Sequence, residues 1–132
     1  MASFSEQIGN ATLKISTAHD KIVRTATLEL FSGVIKSTPV DTGRAKGAWQ
    51  CSVNAPKPGQ SERLDPSGGA ALAEVNANTP QGAGQVTYLA NNLPYIERLE
   101  YGHSKQAPNG MVRINMDRVS KMVEKAVAKH KV

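Results

Sequence analysis

Apolar side chains recur at helical intervals after residue 17: Ile22, Ala26, Leu30 or Phe31, and Val34 fall on one side of a long amphipathic helix ending near Ser37. Thr17, with Asp20 three positions on, offers a capping arrangement at its start, and Ser16 is a neighbouring alternative. Pro39 stops it. The period then changes to two, with Trp49, Cys51 and Val53 alternating with smaller or polar residues, which predicts a strand with one face in a core. A second strand is expected at residues 86–90, and a short helix capped from Asp65 or Ser67 at residues 70–77.

Between these elements, residues 54–69 read NAPKPGQSERLDPSGG, poor in apolar side chains and rich in turn formers. They form a candidate mobile loop that can serve as a contact arm. Residues 91–111 are the densest part of the chain. Pro94 suits the first turn of a helix and Gly102 the left-handed turn that ends one, so a short helix is expected near 94–101. Tyr95, Ile96 and Leu99 supply its apolar side, while Glu97 and Glu100 share another. Residues 111–116 fit either a short strand or the start of the last helix. Asp117 can cap that helix, in which Val119, Val123, Ala126 and Val127 make an apolar side and Arg118, Lys121, Lys125 and Lys129 decorate the remainder.

The expected fold is α+β: a long N-terminal helix and a basic C-terminal helix packed on a small, mainly antiparallel sheet. Two strands alone are marginal, so a third strand or helical cover is required. A length of 132 residues suits one domain spanning 1–132. No apolar run is long enough to cross a membrane, and residues 1–14 lack the pattern of a secretory signal. A cytoplasmic site of synthesis follows as the expectation.

The net charge of +5 is concentrated at one end: residues 111–132 carry six basic and two acidic side chains, while residues 41–110 carry six of each. Arg113, Arg118, Lys121, Lys125 and Lys129 therefore form a candidate surface for passing DNA or an acidic protein. No catalytic constellation stands out. His19, His103 and His130 are far apart in the chain, and the single Cys51 sits in an apolar alternation that suits a buried, inert thiol. No glycine loop carries a phosphate-binding signature. No cofactor or metal site is expected, and the chain reads as a non-enzyme. Asp41, Arg44, Tyr95, Glu97, Arg98, Glu100, His103 and Lys105 are the candidate subunit or partner contacts, because mixed aromatic and charged side chains on rigid turns favour interfaces.

Two stretches carry a family resemblance. TPVDTGRAKGAW, followed later by VTYLANNLPYIERLEYGHSKQAPNGM and a helix, resembles the neck or tail-completion proteins of long-tailed double-stranded DNA bacteriophages, the gene-product-ten-like family. Pro39, Val40, Asp41, Thr42 and Gly43 match its first motif. Tyr95, Leu99, Glu100 and Gly102 match its second, with Ile96 in place of the usual small residue, and residues 104–108 match a subgroup extension. The resemblance covers about residues 17–127. It implies a virion protein forming a ring at the head–tail junction, a hexamer favoured over a dodecamer, touching head-closure and tail-terminator proteins around a DNA channel. The alternatives are a small basic DNA-binding protein and a tail-terminator or tail-tube-associated protein.

Overall fold

The computed structural model describes residues 3–131, which form an α+β fold. In chain order it contains α1 (Phe4–Ser37), α2 (Arg44–Gly47), β1 (Gln50–Val53), α3 (Gly69–Asn78), β2 (Thr87–Ala90), α4 (Ile96–Glu100), α5 (Val112–Met116) and α6 (Val119–Lys129).

The first helix starts fourteen residues before the position expected from a cap at Thr17. Its true cap is Ser3. The Ser3 hydroxyl accepts from the Glu6 N–H and the Glu6 carboxylate accepts from the Ser3 N–H, each at 3.2 Å, forming a reciprocal capping box. With 34 residues, α1 is about 50 Å long. Only its C-terminal half meets the body. Val34 and Ile35 are buried, Leu28 and Phe31 pack against the same core, and Ile22 and Ala26 are half-buried.

Helix α1 ends where the sequence demands. Thr38 turns extended, and its hydroxyl donates to the Val34 carbonyl while accepting from the Trp49 indole N–H, both at 2.8 Å. Trp49 is thus held in the core, one residue before β1, and the sequence between Gly43 and Trp49 contains the unforeseen short helix α2. Gly43 adopts φ +87, which no side-chain-bearing residue takes readily, and its Cα faces the backbone of Asp65 and Pro66 too closely for a Cβ. Its carbonyl accepts from the N–H groups of both Gly47 and Asp65. The corner therefore starts α2 and receives the end of the long loop.

That loop is pinned over its second half. Arg63 donates to the carbonyls of Gly47 and Trp49, both at 2.9 Å, and pairs with Glu74 at 3.3 Å. The buried Asp65 carboxylate accepts from Ala71 N–H and the Ser67 hydroxyl from Gly69 N–H, so both expected caps serve the first turn of α3.

The sheet has two antiparallel strands, with Cys51 opposite Leu89 and Val53 opposite Thr87. Helical cover stabilises it: α3 packs on β1 and on α1, and Cys51 is fully buried while Val53 is half-buried. The core gathers Val34, Ile35, Trp49, Cys51, Val75 and Met111.

Two expectations for the C-terminal region need correction. Residues 112–116 are a helix, and α6 follows as a separate helix behind Arg118, with Asp117 ending α5 instead of capping α6 by its side chain. Of the expected apolar side of α6, Ala126 is buried and Val119 half-buried, but Val123 and Val127 are exposed and Met122 is buried in their place. The cause is the close approach of α5 to α1. Asn115 is buried against Gly33, donating to the Ser37 hydroxyl at 3.0 Å and the Met111 carbonyl at 2.7 Å, and this fixes the rotation with which α6 then meets α1. No helix among the described residues is long and apolar enough to cross a membrane.

Candidate functional site: the junction of the two motif segments

The segment after β2 is built from its turns. Asn91 donates to the Ala45 carbonyl at 2.9 Å, and Leu93 is buried against Ala45 and Ala48, which ties the start of this segment to α2. Pro94 lies just outside α4. The helix ends at Gly102, φ +90, with His103 N–H donating to the Arg98 carbonyl and Gly102 N–H to the Leu99 carbonyl, a paired closure that a left-handed glycine permits.

This architecture brings residues 39–45 and 95–106 together around one open recess of about 270 Å³, lined in part by Asp41, Thr42, Arg44, Tyr95, Leu99 and Gln106. Gln106 closes the junction. Its side-chain oxygen accepts from the Val40 N–H at 2.8 Å and its amide donates to the Val40 carbonyl at 3.0 Å. Of the sequence-selected contacts, Asp41, Arg44 and Tyr95 meet here. Glu97, Arg98, His103 and Lys105 are exposed outside the recess lining.

Glu100 has a different place. Its carboxylate accepts from the N–H groups of Met111, Val112 and Arg113 at 2.8–3.0 Å, and from the Arg113 Nε at 3.0 Å, so it caps α5 from eleven residues away. Burial opposes its charge, but the bonds from Val112, Arg113 and Met111 together with the Arg113 side chain outweigh that cost and hold the carboxyl below its ordinary value. The candidate contact is committed within the chain. Arg113 is likewise occupied, pairing with Glu100 and lying 5.0 Å from the Tyr101 ring centroid.

The other basic candidates separate into two groups beside the α1–α6 seam. Arg118, Lys121 and Lys125 border a groove with Lys36, where Lys125 lies 3.9 Å from Glu29; Lys129 lies at the far end near Lys14 and Lys21. Among the described residues, no group of three or more His, Cys, Asp or Glu is placed to hold a metal ion. Burial pushes the Cys51 thiol up, against a lowering contact from Thr79.

Sequence reasoning passed over Gln106 as a contact, and no local periodicity marks it, because its partner is 66 positions away. The capping role of Glu100 was equally silent. No family model, curated protein or solved structure matches this chain.

Proposed function

We propose that the protein is a non-enzymatic structural component of a bacteriophage virion that assembles as a ring, sixfold in preference to twelvefold, at the head–tail junction. There it completes the tail end and joins it to the DNA-filled head. Support comes from the resemblance of residues 39–43 and 95–108 to the neck and tail-completion family. One observation carries it further: Val40 and Gln106 clasp those two segments into a single rigid surface, with Asp41, Arg44 and Tyr95 around a shallow recess. Preorganised turns lower the ordering cost of a subunit contact, and mixed aromatic and charged groups give it area and direction.

A negative-stain image of purified protein mixed with isolated tails and filled heads tests the reading. Rings at the tail end that increase the yield of joined particles are expected. Protein that remains free while tails and heads join without it overturns the proposal.

A second reading, a basic DNA-binding protein, draws on Arg118, Lys121 and Lys125 beside Lys36. Helix α6 buries Met122 and Ala126 against the body, so it is not a free recognition helix, and phosphate contact is the mode left to its basic side. Such binding would fall steeply with salt and ignore sequence.

A further inference from the structure

Along α1, Phe4, Ile8, Ala11, Ile15, Ala18 and Ile22 recur at alternating intervals of four and three, the spacing that keeps a row on one side of a helix meeting another helix. The same row continues as Thr25, Glu29, Ser32 and Lys36. Helix α6 lies antiparallel over this second half, with His130 Nε2 2.8 Å from the Thr25 hydroxyl and Lys125 Nζ 3.9 Å from Glu29. Beyond Ala18, near which α6 ends at Lys129, the row has no cover among the described residues.

The distribution of polarity is the reverse of what water would select. Under α6 the row is polar; outside it, Phe4 is 77%, Ile8 50% and Ile15 62% exposed, and every residue from 3 to 17 is exposed. A helical segment of this length is marginal on its own. The uncovered row continues a groove already shaped for a helix.

We propose that this half of α1 docks on α6 of a second copy of the chain, against the face formed by Val119, Val123 and Val127. These valines recur every four residues beside the buried Met122 and Ala126, and Val123 and Val127 are left 40% and 44% exposed by packing within the chain. The rows match in length: Phe4 to Ile15 rises about 16 Å and Val119 to Val127 about 12 Å. One pair of opposite charges flanks the two rows. Lys14 borders the first row and Glu124 the second, and among the described residues neither makes an ion pair.

Because donor and acceptor are different faces, the contact is heterologous, and repeated by rotation it closes a ring or grows an open chain. This inference names the subunit contact of the ring proposed above and rests on that reading for closure, while the contact itself requires only a second copy.

Sedimentation and cross-linking test it. Ile8→Asp should abolish association while leaving Trp49 fluorescence unchanged and giving a thermal midpoint that no longer depends on protein concentration and equals that of dilute wild type. Lys14→Glu and Glu124→Lys should each weaken association about three- to tenfold, and mixing their charges in one double variant should restore it to within about twofold. In bismaleimide cross-linking, Ile8→Cys mixed with Val123→Cys should join as a heterotypic pair, with neither joining to itself; the native Cys51 is buried. Self-linking of Ile8→Cys alone would show overhangs pairing with each other and overturn the proposal. Wild-type protein that stays monomeric at high concentration would assign the row to a different protein and also overturn it. Closed rings unaffected by Ile8→Asp would remove this contact and leave the ring reading standing. Assembly that needs Ile8 but grows as open filaments would do the reverse.

Discussion

Gln106 binds Val40 through both ends of its amide, reproducing at 2.8 and 3.0 Å the pair of bonds that a neighbouring strand would make to that residue. The contact fastens the turn after α1 to the loop after α4, beside the packing of Leu93, Ile96 and Leu99 on Ala45 and Ala48. The recess that Arg44 and Tyr95 both line takes its walls from the two clasped segments together, not from either alone.

Gln106→Ala should cost about 1 kcal/mol, because water can replace bonds at an exposed site. The local effect should be larger than the global one: exchange of the Val40 amide should accelerate about tenfold while the core amides around Ile35 stay protected. Gln106→Glu keeps an acceptor but sets negative charge against the Val40 carbonyl, and should be at least as damaging at neutral pH. Unchanged Val40 exchange in both variants would count against the clasp.

Glu100→Gln should destabilise the protein by about 2 kcal/mol at neutral pH, because one carboxylate serves three backbone N–H groups and an amide cannot. The pH dependence has a definite sign. The folded carboxyl titrates below its ordinary value of 4.5, so the unfolded chain takes up the proton first. Its contribution is complete above that ordinary value and is lost as pH falls through the folded one. Urea midpoints for the wild type and Glu100→Gln should therefore lie furthest apart at neutral pH and draw together as pH falls below the ordinary carboxyl value and through the lowered folded one. A gap of constant size would remove the capping role. The same bonds make Glu100→Lys a folding variant first, so its effect on assembly has to be compared at matched stability.

Cys51 should resist a thiol reagent in the native protein and react at once in denaturant. It is fully buried, and burial pushes its thiol up, so little thiolate is present near neutrality. The measured rate should follow unfolding and rise with urea. Stoichiometric modification within the mixing time of native protein would place the side chain outside the core.

The sequence made the inner parts of the fold legible wherever one physical signal dominated. Pro39 and Thr38 mark the end of α1, the alternation around Cys51 marks β1, and Asp65 and Ser67 mark the start of α3, because each acts through neighbours in the chain. Ala126 is buried as its place in the apolar row suggests, but Val123 and Val127 are not, because helical spacing identifies a row and not the rotation with which it meets the body; Met122 takes their place beside Ala126, next to the anchor at Asn115. The start of α1 was placed too late because Thr17 and Asp20 imitate a cap, whereas Ser3 and Glu6 complete one. At the candidate site, Arg44 and Tyr95 were recognisable from their turns. Gln106 and the inward commitment of Glu100 were not, since both depend on partners that only folding brings near.

Two glycines of α1 should respond to alanine with opposite signs. In both cases alanine removes the backbone-entropy cost of a helical glycine, a gain of about 0.5–1 kcal/mol. At Gly9 nothing within the chain lies within 4 Å of the added Cβ, so that gain stands alone and helicity measured by far-ultraviolet circular dichroism should rise. At Gly33 the added Cβ would lie 2.2 Å from the Asn115 Oδ1, far inside contact distance. Asn115 cannot swing away cheaply, because its amide is buried and donates to Ser37 and to the Met111 carbonyl. Relief requires moving α5 off α1 or breaking those bonds, and overpacking of this kind costs about 1–3 kcal/mol, which exceeds the helical gain. Gly33→Ala should therefore lower the thermal midpoint, while the double variant Gly33→Ala with Asn115→Ala should recover part of the loss by opening the space. A Gly33→Ala protein as stable as Gly9→Ala would mean that α5 does not press on α1 at this point, and the rotation of α6 would need another cause.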